Sequence, residues 1–97
     1  MFIISLQYRV SLGEIDANMK EHMAFLNKYY KKNVFVASGR KVPRTGGIIL
    51  AITSSKEEIK QIMLEDPFIA KGLADFEVIE FQTSQTHPAL KTLLDSR

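Results

Sequence analysis

A histidine lies inside the apolar stripe of a predicted amphipathic helix, where it could act as a base. From Glu14 to about Tyr30 the apolar side chains recur at helical spacing, and they are Ile15, Met19, Met23, Leu26 and Tyr30. His22 falls in the middle of this stripe, away from the charged face of the helix. A buried imidazole needs a hydrogen-bond partner, because an unpaired polar group in a core costs about 1–3 kcal/mol. The helix alone leaves two interpretations open: a structural histidine bonded to a backbone carbonyl, or a functional one.

A carboxylate that could pair with this histidine is Asp66, which follows a second predicted helix. That helix begins at Ser55, whose spacing from Glu58 matches a capping box. It should stop by about Glu65, since Pro67 disfavours helical geometry in the residue before it. A carboxylate beside an imidazole fixes its tautomer and stabilises the imidazolium, which is a general-base arrangement. Asp66 can equally cap a short turn, and spacing alone favours the cap, although both roles can coexist.

Residues at the ends of the first two predicted strands could bind an acidic small molecule. They are Arg9 after the first strand, and Ser38, Gly39 and Arg40 at the end of the second. Strand ends gather at the rim of a sheet, where a guanidinium, a hydroxyl and backbone amides can hold a carboxylate or phenolate. We therefore predict these residues to bind substrate, with an anionic ligand favoured. The alternatives are a surface ion pair for Arg9 and a solvated loop for the basic cluster around Arg40.

The composition excludes several other kinds of chemistry. Cysteine is absent, which removes disulfides, thiolate catalysis and cysteine-bound metals. No phosphate-binding loop, dinucleotide fingerprint, nucleophile elbow or metal-ligand cluster occurs, and His87 beside Pro88 is more simply a surface residue. We therefore predict neither a metal nor an organic cofactor.

Charge and hydropathy narrow the partners further. The net charge is +2, and no aromatic residues are interleaved with the basic ones, so nucleic acid is not a predicted partner. No apolar run approaches the length of ~20 residues that a membrane-spanning helix needs. The N-terminal segment is too short for a signal peptide, so the expectation is a soluble, cytoplasmic protein.

The elements that must position these residues follow one another in the order βαββαβ within a single predicted domain, residues 1–97. This order predicts a ferredoxin-like α+β fold, a four-stranded antiparallel sheet with both helices on one face. Thr45-Gly46-Gly47 should form the turn into the third strand, its glycines permitting positive backbone dihedrals. A short helical turn is expected over 88–94.

Two central segments, 34–38 and 48–52, are apolar on both sides, so a monomer would expose an apolar sheet face. A second copy is expected to cover that face. The sequence therefore predicts a homodimer packed sheet to sheet, as in a dimeric α+β barrel.

These residues together resemble the YciI-like (YCII) family over positions 1 to about 81, with 82–97 as a tail outside the match. The resemblance is carried by His22-Met23 in the first helix, Ala37-Ser38-Gly39 after the second strand, Thr45-Gly46-Gly47, and Asp66-Pro67-Phe68 followed by Lys71-Gly72-Leu73. The resemblance implies a dimeric ferredoxin-like barrel whose site is built around a His–Asp pair, here His22 and Asp66. Where the family commonly has Ala-Gly-Pro, this chain has Ala37-Ser38-Gly39-Arg40, which again favours an anionic substrate.

The family includes a dehydrochlorinase of a chlorinated hydroxyhydroquinone, and its fold is shared with muconolactone isomerases. The resemblance therefore favours a cofactor-independent lyase, isomerase or hydrolase that moves protons on small cyclic compounds. The alternative is a noncatalytic dimer that binds a metabolite or a protein partner, since fold alone does not decide function. A haem-degrading monooxygenase of related fold is a third, less attractive hypothesis.

Overall fold

A four-stranded antiparallel sheet forms the centre of the computed structural model, which describes residues 1–95. The strands are β1 (Phe2–Tyr8), β2 (Phe35–Arg40), β3 (Gly46–Ala51) and β4 (Ala74–Glu80), in the spatial order β2-β3-β1-β4. The helices between them are α1 (Leu12–Ala17), α2 (Met19–Lys31), α3 (Lys56–Met63) and α4 (Pro67–Ala70), and α5 (Pro88–Asp95) follows the last strand. The predicted βαββαβ order and ferredoxin-like fold are confirmed.

Alternation along β1 decides which face of the sheet meets the helices. Phe2, Ile4 and Leu6 are buried, whereas the residues between them are partly exposed. Successive side chains of a strand point to opposite faces, so these three define the inner face. Their partners on β3 are Ala51, Ile49 and Gly47. The inner face packs against the helices and forms the core with Phe25, Leu26 and Tyr29 of α2.

The first helical region is interrupted, which differs from the single helix expected from Glu14 onward. Asn18 (φ −109°) separates α1 from α2, and its side-chain amide donates to the carbonyl oxygen of Glu14 at 2.9 Å. Asn readily bonds nearby backbone groups, which explains a break at this position. The side chain of Met23, expected within the buried stripe, is 48% exposed.

The second helical region ends as the sequence predicts. Ser55 caps α3 by accepting from the backbone N–H of Glu58 at 3.2 Å. Pro67 is the first residue of α4, and Gly72 adopts φ +70° after it, which a residue without a Cβ does at little cost. Lys71 donates to Asn18 and Glu21, and so ties the end of α4 to the start of α2.

Close packing, and not a positive dihedral, explains the glycine that starts β3. Gly72 is the one described glycine with positive φ, so the expected positive dihedrals in the turn are wrong. A Cβ on Gly46 would lie 1.8 Å from the carbonyl oxygen of Leu6, well inside contact distance. The β1–β3 pairing therefore admits only glycine there.

The outer face of the sheet carries a mixture of apolar and polar side chains. Ile3, Ile48 and Leu50 are partly exposed, and Ile79 is 45% exposed. From Ala37 to Arg40 the edge strand β2 is exposed, so only its beginning is apolar on both sides. The homodimer stays a prediction from the sequence. Within residues 1–95 there is no helix long and apolar enough to cross a membrane.

Candidate active site

His22 and Asp66 lie within hydrogen-bonding distance, as predicted. Nδ1 of the imidazole is 2.9 Å from Oδ1 of the carboxylate. The His22 side chain is 13% exposed and the Asp66 side chain 0%. A carboxylate accepts and does not donate, so Nδ1 must carry the hydrogen and the other ring nitrogen, Nε2, is left free to accept a proton.

Asp66 also caps the short helix α4, so the predicted cap and the predicted contact with His22 coexist in one side chain. Its Oδ1 accepts from the backbone N–H of Phe68 at 3.0 Å in addition to the His22 contact. The second oxygen, Oδ2, is buried, and no described residue donates to it. Because Pro67 fixes the backbone at the start of α4, the carboxylate is held by the same turn that ends the preceding helix.

Phe68 fixes the plane of the imidazole. The two rings are stacked at 5° with their centroids 4.0 Å apart, and Phe68 is itself buried in the core. The rings of Tyr8 and Phe68 are in edge contact, with their centroids 6.0 Å apart. The imidazole of His22 is therefore oriented by its hydrogen bond to Asp66 and by stacking on the ring of Phe68.

A cavity of about 560 Å³ opens between α2 and the inner face of the sheet, and His22 lines it. Its apolar wall includes Met19, Met23, Leu26 and Phe68. A volume of this size suits a small organic molecule, since ligand sites typically measure ~300–1,000 Å³.

The edge strand supplies most of the polar residues that the sequence assigned to binding. Ser38, Gly39 and Arg40 all line the cavity. The hydroxyl groups of Ser38 and Tyr30 are hydrogen-bonded at 2.7 Å across the gap between β2 and α2. The structure thus brings three of the predicted binding residues to the same cavity as His22, and their binding role stays a prediction.

The structure places Arg9 elsewhere, which corrects its expected position at the pocket mouth. Tyr8 lines the cavity, so the next residue points to the outer face of the sheet. There Arg9 pairs with Asp75 at 3.3 Å, and its side chain is 60% exposed. The alternative of a surface ion pair for Arg9 is what the structure shows.

Sequence reasoning missed a second ion pair on the cavity wall, formed by Arg44 and Asp16. Arg44 belongs to the β2–β3 turn, and Asp16 belongs to α1. The hydrogen bond from Arg44 lowers the pKa of Asp16 below its ordinary value, although partial burial opposes this, and Arg40 lowers it further. The basic residues of the turn were visible in the sequence, but their contact with α1 depends on tertiary structure.

Among the described residues no group of three or more histidine, cysteine or acidic side chains could hold a metal ion. The groups present can instead take up a proton, at Nε2 of His22, and hold an anion, at the two arginines. Together with the apolar wall they suit acid–base chemistry on a small molecule.

The strand order β2-β3-β1-β4 with helices on one face defines a ferredoxin-like α+β protein. Residues 1–82 match the YCII-related domain, and the chain belongs to the YCII family. The expected family is thereby confirmed. No curated protein matches the sequence.

A solved structure with this fold is 5-chloro-2-hydroxyhydroquinone dehydrochlorinase (TftG) from Burkholderia phenoliruptrix AC1100, in complex with 2,5-dihydroxybenzoquinone. The TM-score is 0.74 at 22% sequence identity, and the match covers 86% of this chain and 94% of that one. At this identity the likeness shows the shared fold.

Proposed function

We propose that the protein is a cofactor-independent enzyme that moves a proton on a small cyclic substrate, with His22 as the base and Asp66 as its orienting partner. The observation that carries the proposal is the 2.9 Å contact between the fully buried Asp66 and His22, which lines the cavity. A structural histidine would need only a backbone carbonyl. Here a carboxylate fixes the tautomer in which Nε2 accepts.

In the proposed reaction Nε2 takes a proton from a C–H or O–H group of the substrate. The electron pair left on the substrate either expels a leaving group, as in a lyase, or shifts so that another carbon is protonated, as in an isomerase. A hydrolase would use the same base on a water molecule. In each case the imidazolium formed is stabilised by the adjacent carboxylate of Asp66.

Ser38, Gly39 and Arg40 are proposed to hold the substrate, since they line the cavity opposite α2. The apolar wall would contact a ring, and the arginine and hydroxyl would contact its polar substituents. The fold is shared with a dehydrochlorinase, which supports the proposal that this member of the YCII family is an enzyme acting on small molecules.

The proposal is tested with the purified protein and a panel of hydroxylated and chlorinated ring compounds and lactones. Proton NMR in D2O would follow exchange of ring hydrogens and product formation, and chloride release would be measured for chlorinated members. We expect turnover of at least one compound class. His22→Gln should reduce the rate about 10²–10⁴-fold, the usual contribution of a general base.

Met23→Leu is the matched control, because Met23 lines the same cavity on the same helix but carries no proton-accepting group. It should keep most of the activity. Binding of panel members by the wild type without exchange or turnover would favour the noncatalytic metabolite-binding dimer. A His22→Gln variant as active as wild type would refute the assigned base.

A further inference from the structure

The cavity wall carries more positive than negative charge, and the proton-transfer proposal uses only Arg40 among these charged residues. Arg40, Arg44 and Asp16 are the lining residues with permanent charges. Asp16 pairs directly with Arg44, whereas Arg40 makes no direct ion pair with a described side chain and acts on Asp16 from farther away by lowering its pKa. The lining therefore contains one more guanidinium than carboxylate.

Arg44 is the better buried member of its ion pair. Its side chain is 22% exposed, against 59% for Asp16. The hydrogen bond to Asp16 raises the pKa of Arg44 above its ordinary value, with a further contribution from Tyr8. The guanidinium is thus held on the cavity wall, while the carboxylate that meets it extends from α1 into solvent.

We propose that Arg40 and Arg44 form an anion subsite in which the Asp16 carboxylate occupies the position of a ligand carboxylate, and that the substrate is a ring compound bearing a carboxylate. The inference rests on the proposed function and names the substrate class of the same cavity. On binding, the ligand carboxylate takes the place of Asp16 at Arg44, and Asp16 turns to solvent.

The exchange is nearly balanced in electrostatic terms. Ion pairs between exposed side chains contribute little net free energy, so replacing one carboxylate by another at the same guanidinium costs little. The incoming carboxylate also meets Arg40, and a planar guanidinium can bind a carboxylate through two parallel hydrogen bonds. Burial of the ligand ring against Met19 and Leu26 then favours the ligand over the Asp16 side chain at Arg44.

The subsite and the proposed base line the same cavity. Tyr8 is in edge contact with Phe68, which stacks on His22, and Tyr8 also interacts with Arg44. A chain of adjacent side chains therefore links the arginine to the imidazole along the cavity. A ligand anchored by its carboxylate at the arginines would place its ring in the cavity that His22 also lines.

The test compares 2,5-dihydroxybenzoate with 2,5-dihydroxybenzamide, which share a ring and differ in charge. Isothermal titration calorimetry at low salt would give both affinities for the wild type and for Arg44→Gln, Arg40→Gln and Asp16→Asn. The wild type should bind the acid at least about tenfold more tightly, the lower end of the contribution of a charge-assisted hydrogen bond. Each arginine variant should lose most of that ratio, and Asp16→Asn should bind the acid several-fold more tightly and the amide unchanged.

Arg9→Gln and Asp75→Asn are matched controls, since they make the same changes in an ion pair outside the cavity. Both should keep the wild-type ratio. If Arg44→Gln does not fold, Arg44→Lys replaces it in the test. The lysine keeps the positive charge but not the planar guanidinium, so this variant should keep part of the preference for the acid.

Equal binding of acid and amide by the wild type, or no binding of either, would overturn the subsite. If Arg9→Gln lowered the acid-to-amide affinity ratio as much as the cavity arginine variants do, the preference would be a general effect of protein charge. If Asp16→Asn bound the acid with wild-type affinity, Asp16 would not occupy the subsite. His22→Gln should keep the acid preference. Loss of the preference with proton transfer intact therefore rejects this inference alone, and the preference without proton transfer rejects the proposed catalysis alone.

Discussion

Glu65 and Asp66 are adjacent carboxylates that both bond to side chains of α2, yet their surroundings differ. Asp66 is fully buried and meets His22 and the backbone of Phe68. Glu65 is 43% exposed, and its two oxygens accept from Lys28 and from the hydroxyl of Tyr29. Both contacts fasten the end of α3 to α2, but only one of them faces the cavity.

The difference shows how burial changes what such a contact does. At Glu65, water competes with Lys28, so the interaction is screened and adjustable. At Asp66, water is excluded, so removing a partner leaves a polar group unsatisfied in the core. We therefore expect the interior contact to control both stability and the orientation of the base, and the exterior one to adjust stability with pH.

The largest expected effect is on stability in Asp66→Ala. The substitution removes the cap of α4 and leaves Nδ1 of His22 without its partner, and together these should lower the free energy of unfolding by about 2–4 kcal/mol. Urea denaturation of the wild type and the variant would measure the loss. Glu65→Ala is the neighbouring control and should lose clearly less; equal losses would contradict the comparison.

A smaller effect, on the tautomer of His22, separates Asp66→Asn from Asp66→Ala. An asparagine can keep its oxygen toward the Phe68 N–H and Nδ1 of His22, because both are donors. Its amide nitrogen then replaces Oδ2, for which no described residue is a partner, so a modest loss of stability is expected. Nitrogen-15 NMR should show Nδ1 protonated in the wild type and in Asp66→Asn.

In Asp66→Ala the same experiment should show loss of that fixed tautomer. Protonation mainly at Nε2 in the wild type would contradict the geometry from which His22 was assigned as a base. Comparing the two variants distinguishes the charge of Asp66 from its role in orienting the ring.

The smallest expected effect is a change in the acid stability profile of Glu65→Gln. Hydrogen bonds from Lys28 and Tyr29 hold the pKa of Glu65 below its ordinary value of 4.5, against an opposing effect of burial. A carboxyl whose pKa is lower in the folded state stabilises the fold above its unfolded pKa. That stabilisation is complete at neutral pH and is lost as pH falls through the lowered value.

Thermal unfolding midpoints between pH 2 and pH 7 would test this expectation. Glu65→Gln should be less stable than the wild type at neutral pH and approach it at low pH. Glu57→Gln, a change on an exposed face of α3, should run parallel to the wild type. A constant difference for Glu65→Gln at all pH values would contradict the assignment.

Most of the fold was predictable because periodicity and local signals agreed. Alternation in β1, the cap at Ser55 and the stop at Pro67 each acted over a few residues, and the structure confirms them. The break at Asn18 was missed because the apolar pattern continues across it. The close approach at Gly46 was misread because a turn and a tight strand contact both favour glycine.

The candidate site was predictable where the chain itself restricts position. His22 lies within an apolar helix stripe, and Pro67, which follows Asp66, fixes where the preceding helix ends. Arg9 was misplaced because the face on which a residue lies beyond a strand end depends on register and not on composition. Asp16 and Arg44 were missed because they are far apart in sequence, and each alone is an ordinary surface charge.

The residues of the candidate site come from two different parts of the chain, which meet at the cavity. His22 belongs to α2 and Asp66 caps α4, whereas Ser38, Gly39, Arg40 and Arg44 all belong to the edge hairpin β2–β3. Among the described residues β2 lies at the edge of the sheet and pairs with β3 alone, and its residues from Ala37 to Arg40 are exposed, so we expect substitutions there to disturb the core little. Under the proposed function, grafting residues 38–44 from another sequence should change substrate preference while His22 and Asp66 stay in place.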